Sequence, residues 1–425
     1  MVLDTVSGMG MRDNARAELI PGLLRETRGP GGLTRKRVAR AAARLGVPDV
    51  AAAEAATFYP AFTAPRARWQ IRLCKSLSCH LEEGRAVYAA LRKAQKWAAA
   101  REAPGSARFV IMNADQGEPW TFKDHHLLEH HAGRAIEGLL IACHAVGTGR
   151  AYIYLRHDYD NLRRALEREL RQAMAAGDGG APEVSLWTAP GGYICGEESA
   201  LIASMMGRRA EPRPRPPFPA QAGLHGLPTV INNVETLANV PAIIEHGAEW
   251  FRVNFRKLFC VSGDVKRRGV YEAAPGITLR ELVFGNAGGI RRAGRKFKMA
   301  IVGGLSGQVW GAADLDAPLT HANFGNGAVM VLDESRGAME VALNAAEFFR
   351  EECCGACAPC RQGTGTVETL LKEVRTGKKR AKALEQLARV SRVMRDASLC
   401  GLGQTATRVL EGLRAKFPAE WGARP

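Results

Sequence analysis

The stretch "CCGACAPC", Cys353 to Cys360, holds four cysteines in eight residues, and a fifth stands alone at Cys400. Thiolates are soft metal ligands, and Cys354-x2-Cys357-x2-Cys360 lets three sulfurs converge from one tight turn, as an iron–sulfur cube requires of its first three ligands. Zinc sites usually build from two separated pairs. A triplet with one distant partner therefore favours a 4Fe-4S cluster on Cys354, Cys357, Cys360 and Cys400 over zinc. Spacing alone lets Cys353 compete for the first position; only the x2 register prefers Cys354. Cys143, Cys195 and Cys260 read as small core hydrophobes.

Three further constellations carry polar chemistry. "NADQGEPWTFKD", Asn113 to Asp124, follows a strand-like run directly. Polar groups just past a strand's carboxyl end are where open α/β sheets bind ligands, and such side chains can bond ribityl or ribose hydroxyls. In "APGGYICGEESAL" the glycines permit close backbone approach, Tyr193 offers a stacking face, and Glu197 and Glu198 open a helix. The structural alternative is a glycine turn with an acidic helix start, favoured by the helix dipole in any case. "PRPRPPFPAQAGLHGLPTVINNVETLANV" is a proline-rich connection carrying Phe218, with Asn232, Asn233 and Thr236 at the mouth of a helix.

The elements that must position these groups follow from periodicity. Residues from about 14 to 62 read as short helices, and "RWQIRLC" as an alternating strand leading to Cys74 and Cys79. From "RFVIMN" onward strands and helices alternate, the pattern of an α/β domain with a largely parallel sheet. Short strands and turns begin near Lys257, and the chain is helical after Met339. Four regions are expected: 1–95, 96–254, 255–336 and 337–425.

Composition sets the bounds. At 425 residues the chain should form two to four domains. No apolar run approaches the roughly 18 residues of a membrane span, and the start lacks a secretory apolar core. A cytoplasmic location without direct membrane insertion is expected, and ten cysteines in a reducing compartment read as ligands and buried thiols. The net charge of +16 raises nucleic acid, and "LTRKRVARAAARLGVPDVAAAEAATFY" looks like a helix-turn-helix. Its second helix offers no arginine, asparagine or glutamine to read bases, and the basic residues are scattered along the chain. A solvated basic surface, open to docking an acidic partner subunit, is preferred.

Taken together, "NAD-x-GEP-x-TFKD", "YICGEESAL", "PPFPA-x-x-GL-x-G-x-PT-x-x-NNVETLANV", "FF-x-x-E-x-CG-x-C-x-PCR-x-GT" and "C-x-LG" resemble the NADH-binding flavoprotein subunit of respiratory NADH dehydrogenase (complex I), NAD-reducing hydrogenases and NAD-dependent formate dehydrogenases. The resemblance covers roughly 96–417. "EAATFYPAF" and "IRLCKSLSC" look like the start of the thioredoxin-like two-iron subunit, which in some members is fused ahead of the flavoprotein. The ending "MRDASLCGLGQTA" looks closest to fused β subunits of formate dehydrogenases.

The resemblance implies a Rossmann-like FMN/NADH domain, a small β-grasp-like α+β module and a C-terminal helical bundle carrying the cluster, after an N-terminal helical and partial thioredoxin-like segment. It implies hydride transfer between NADH and FMN and single-electron passage to the 4Fe-4S cluster, with no side-chain nucleophile. By motif position Lys96, Asn113, Asp115, Gly196, Glu197, Asn232, Asn233 and Thr236 would hold FMN, while Glu118, Tyr193, Glu198 and Phe218 would face NAD(H). The partner would be the catalytic subunit of a formate dehydrogenase, hydrogenase or complex I. A non-catalytic iron–sulfur docking subunit that has lost FMN is the alternative, and a DNA-binding protein a weaker one.

Two departures bear on this. The family has a glycine-rich loop before its Lys-Trp that cradles the FMN phosphate, whereas "VYAALRKAQKWAAARE" has no glycine. The Cys-x4-Cys of Cys74 and Cys79 is not followed by Cys-x3-Cys, so no complete 2Fe-2S site is expected. One internal deletion would account for both. Gln116 stands where the family usually has glutamate, which removes a negative charge beside the flavin.

Overall fold

The structure, a computed structural model, describes residues 35–45, 108–175, 182–377 and 379–422. The chain divides into two compact units, Met1–Cys74 and Lys75–Pro425. In the first, helix α1 (Arg35–Leu45) buries Val38 and Ala42, four residues apart and so on one face. The expected strand ending at Cys74, together with Cys79, Lys96 and the first expected boundary at 95, lies outside the described residues.

Among the described residues the second unit runs from β1 (Phe109–Ala114) through α2 (Lys123–His130), α3 (Ala132–Val146), β2 (Arg150–Arg156) and α4 (Arg163–Ala175) to β3 (Glu183–Ala189). Next come α5 (Glu198–Met205), β4 (Thr229–Asn233), α6 (Val234–His246) and α7 (Ala248–Asn254). The four strands form a parallel sheet in the order β3-β2-β1-β4.

Side-chain alternation along β1 divides it between two cores. Val110 and Met112 pack with Ile136 and Leu139 of α3 and Leu166 of α4. Phe109 and Ile111 join Tyr154, Leu201 and Met205 on the other face. Burial on both faces makes the strand a continuous apolar run, as a covered parallel sheet demands. In α3 the buried residues Ala135, Ile136, Leu139, Ala142 and Cys143 recur at helical spacing, and Gly147, left-handed at φ 70°, ends the helix by donating its N–H to Cys143 O.

A second, mixed sheet holds β5 (Lys257–Gly263), β6 (Gly269–Ala273), β7 (Phe297–Val302), β8 (Gln308–Gly311) and β9 (Ala328–Asp333), in the order β6-β5-β9-β7-β8. The chain ends in helices α8 (Ala338–Glu351), α9 (Ala358–Thr376), α10 (Arg380–Ala397), α11 (Gly401–Thr405) and α12 (Arg408–Lys416). Their core joins Phe349, Leu371, Met394 and Leu410 to Met299 and Ile301 of β7. Among the described residues no helix is long and apolar enough to cross a membrane.

Candidate cofactor and cluster sites

Parallel register sets the first site. Asn113 pairs with Asn233 on one side and Tyr154 on the other, so β1, β2 and β4 end level and the turns that follow them meet. Asp115, one residue past β1, is wholly buried, and neither carboxylate oxygen has a hydrogen-bond partner. Burial lifts its pKa to about 7, against the opposing pull of Arg156. Arg156, the last residue of β2, bonds Asp158 through Nε at 2.7 Å and leaves a buried Nη1 without a partner.

Gln116 adopts φ +32°. Its Oε1 accepts from the Asp124 N–H at 2.9 Å and the Tyr159 hydroxyl at 3.3 Å, while its buried Nε2 has no partner. A Cβ at Gly117 would lie 2.9 Å from Tyr193 Cα, 3.3 Å from Arg156 Nη1 and 3.5 Å from Asp115 Oδ2; one at Gly196 would also reach 3.5 Å from Asp115 Oδ2. Glycine thus keeps open a cradle bordered by an acid, an amide and a cation that the protein leaves unsatisfied. Buried polar groups ordinarily find partners, and this set of donors and acceptors suits a ligand that has both. FMN has both, and the residues fit it.

Other motif residues already have structural work. Asn113 Nδ2 donates to Gly196 O at 2.9 Å, and its Oδ1 accepts from the Asp115 N–H, tying the end of β1 to the glycine turn. Asn233 caps α6 through the Glu235 N–H, accepts from Lys123 Nζ and donates to Asp124 Oδ2, which engages its amide oxygen twice and its amide nitrogen once. Burial works against the Glu235 carboxylate behind it, but Lys123 and Lys257 outweigh that and hold its pKa at about 2. Glu197 caps α5, accepting from the Ser199 and Ala200 N–H groups, and Arg215 grips both Glu197 and Glu198. The acidic helix start foreseen as a structural alternative is present. Asn232 is the next-to-last residue of β4, Thr236 sits in the first turn of α6 and Phe218 at a turn closed by Gln221, all three half-buried.

Glu118 leads towards the second sheet. Its carboxylate accepts from the Tyr193 hydroxyl and from the Ser306 N–H at 3.3 Å, and burial raises its pKa. Tyr193 packs edge-on against Phe348, with ring centroids 5.4 Å apart, and its N–H donates to Glu352 Oε2 at 2.6 Å. Arg156, Tyr159, Ser306 and Glu352 were not singled out in the sequence. Arg156 had a signal, since it closes "RAYIYLR" at the sheet edge where ligands bind.

The second site is built from helix ends. Cys353 and Cys354 follow α8, Cys357 is the N-cap residue of α9, Cys360 lies in the first turn of α9 and Cys400 is the N-cap residue of α11. All five cysteines line one small cavity with Ile194, Pro212, Leu399 and Leu402. Cys357 and Cys400 stand at helix N-termini, whose dipoles favour a thiolate. Burial pushes the Cys354, Cys360 and Cys400 thiols up, a cost that a bound cation reverses.

The arginine and glycines around the cysteines have clear roles. Arg361 donates to Gly355 O at 2.6 Å and Arg209 to Cys354 O, fixing the turn from outside. A Cβ at Gly363 would collide with Met394, and one at Gly403 with Ser398, so α9, α10 and α11 can approach only with glycine there. Sulfur donors around an apolar cavity, two of them at helix N-termini, fit an iron–sulfur cluster.

Residues 83–242 match the Nuo51 FMN-binding domain, 340–424 the NADH-ubiquinone oxidoreductase-F iron-sulfur binding region, and 8–109 the thioredoxin-like [2Fe-2S] ferredoxin. The F-type subunit of NADH-quinone oxidoreductase from Aquifex aeolicus (strain VF5) is 41% identical over 344 residues, covering 77% of this chain and 80% of that protein. The chain belongs to the family of NADH-quinone oxidoreductase F-type subunits.

Another member of the F-type family, the NADH-quinone oxidoreductase protein designated F 2 in Rhizobium meliloti (strain 1021), is 39% identical over 349 residues, covering 77% of this chain and 83% of that one. A crystal structure of an NAD+-reducing NiFe hydrogenase in the H2-reduced state superposes with TM-score 0.72 at 36% identity, covering 80% of this chain. Only 63% of that hydrogenase chain is spanned. The match to the FMN domain begins inside the match to the thioredoxin-like domain, so the two overlap over 83–109, outside the described residues up to 107.

Proposed function

We propose that this chain is the NADH-binding FMN and 4Fe-4S subunit of a multisubunit NAD-linked oxidoreductase, carrying electrons between NADH and the cluster. One observation carries the reading. Adjacent residues of a single turn serve both sites: Tyr193 bonds Glu118 on the cofactor side, and Ile194 lines the cysteine cavity. Glu352, next to Cys353, holds the Tyr193 N–H and so ties the cluster turn to the cofactor turn.

Asp115, Gln116 and Arg156 would hold FMN through the groups the protein leaves unsatisfied, with Asn232, Thr236 and Gly196 beside them. Lys96 is proposed for its phosphate. Glu118, Tyr193, Glu198 and Phe218 would face NAD(H), and Asn113, Glu197 and Asn233 would act by fixing the backbone of the cradle. Cys354, Cys357, Cys360 and Cys400 would hold the cluster. When bound, the flavin supplies conversion between two-electron hydride chemistry and one-electron transfer. The protein's part is to orient the cradle, exclude water by burying Asp115, and keep the two sites behind one shared wall.

The regions 96–254, 255–336 and 337–425 then correspond to a Rossmann-like cofactor domain, a β-grasp-like module and a cluster-bearing helical domain. A cytoplasmic location and a catalytic partner of the formate dehydrogenase, hydrogenase or complex I type complete the proposal. Its test is anaerobic purification followed by iron and flavin analysis and NADH:ferricyanide assay. We expect about four irons per chain, little flavin because the glycine loop is missing, and weak NADH oxidation that depends on added FMN. Two or three lost charge-assisted hydrogen bonds at roughly 1–3 kcal/mol each weaken FMN binding by orders of magnitude. Iron without any FMN-dependent NADH oxidation would favour the docking-subunit alternative.

A further inference from the structure

Five thiols line a cavity in which a cube takes four. Cys353 Sγ lies 3.3 Å from Cys360 Sγ, a hydrogen-bonding contact in which, between two thiols, either sulfur can donate. Once Cys360 is a metal-bound thiolate it has no proton to give, and only Cys353 can be the donor. We propose that Cys353 tunes the cluster: its S–H donates to the ligand sulfur of Cys360 and raises the cluster's reduction potential. This rests on the ligand set proposed above.

The contact places Cys353 beside a position already filled by Cys360. Its S–H has apolar neighbours, with Ile194, Leu399 and Leu402 lining the same cavity, and a hydrogen bond counts for more in such surroundings. Cys357 and Cys400 are N-cap residues at the positive ends of helix dipoles. At Cys360 the donor is a side chain. A donor withdraws electron density from the thiolate and so stabilises the added electron of the reduced cluster; hydrogen bonds to the sulfurs are among the factors that set iron–sulfur potentials.

The test uses the full chain with Cys353→Ala, Cys353→Val and Cys353→Ser, purified anaerobically, with iron analysis and a redox titration followed by low-temperature paramagnetic resonance. All three variants should keep wild-type iron. The donorless alanine and valine variants should lower the midpoint potential, by about three- to tenfold in the reduction equilibrium constant, where tenfold corresponds to about 59 mV for one electron. Serine supplies an O–H donor and should hold the potential at or above the wild-type value. Unchanged potential in both donorless variants, with iron intact, overturns the inference and spares the ligand set. Loss of iron in all three variants while Cys354→Ser retains it overturns the ligand set instead, because Cys353 would then be the first ligand.

Discussion

The cysteine cavity and the proposed flavin cradle use their side chains differently. Around the cavity the cysteines have little other work: their motif placed them at the ends of α8, α9 and α11, and there they are. In the cradle, Asn113, Asn233 and Glu197 are occupied in tying a turn, capping α6 and capping α5. What remains unsatisfied is Asp115, Gln116 Nε2 and Arg156 Nη1. A sulfur ligand has few alternative uses in a protein, whereas amides and carboxylates at strand ends serve helix starts and ligands alike. Motif position therefore says what a cysteine does more directly than what an asparagine does.

The largest expected effect lies on the cluster side. Cys357→Ser or Cys400→Ser should abolish the low-temperature paramagnetic signal of the reduced protein, since a hard serine hydroxyl is a far poorer ligand for cluster iron than a soft thiolate. A full signal in either variant would place the cluster elsewhere.

On the cradle side, Asp115→Asn tests whether an unsatisfied acid is maintained at a cost. A carboxyl with its folded pKa raised to about 7 contributes its stability below the unfolded value near 4 and loses it as pH rises through 7. The flavin-free wild type should therefore lose stability between about pH 4 and 7 where the variant does not. The gap at pH 8 should be about 4 kcal/mol, from roughly three pKa units. Denaturant unfolding of both proteins at pH 5 and pH 8 checks it, since the gap should widen by about 2–3 kcal/mol between them; parallel profiles would mean that Asp115 is solvated.

Asn233→Ala sharpens the contrast between capping and ligand binding. Loss of the cap and of the bonds to Lys123 and Asp124 should cost about 1–3 kcal/mol of stability without flavin. A variant of wild-type stability that fails only in FMN binding would make Asn233 a direct ligand. The smallest effect is expected from Gln116→Glu. One carboxylate oxygen can keep the bonds from the Asp124 N–H and Tyr159, while the added charge should lower the potential of loaded flavin by on the order of 1 kcal/mol. An unchanged or raised potential in a redox titration would put Gln116 away from the ring.

By itself the sequence determined the alternation of strands and helices from Phe109, the change of pattern near Lys257, the helical end and the convergence of the cysteines. Each rests on local periodicity or spacing, which survive without knowledge of the neighbours. It also carried the motifs that mark the NADH-binding flavoprotein family. Only the tertiary structure decided which motif residues are spoken for, because the partners of Asn233 come from α2 and α6, and that of Tyr193 N–H from the end of α8. It alone brought Arg156 to Asp115 and set Cys353 against Cys360. Burial and hydrogen-bond satisfaction arise between segments far apart in the chain, and no spacing rule encodes them.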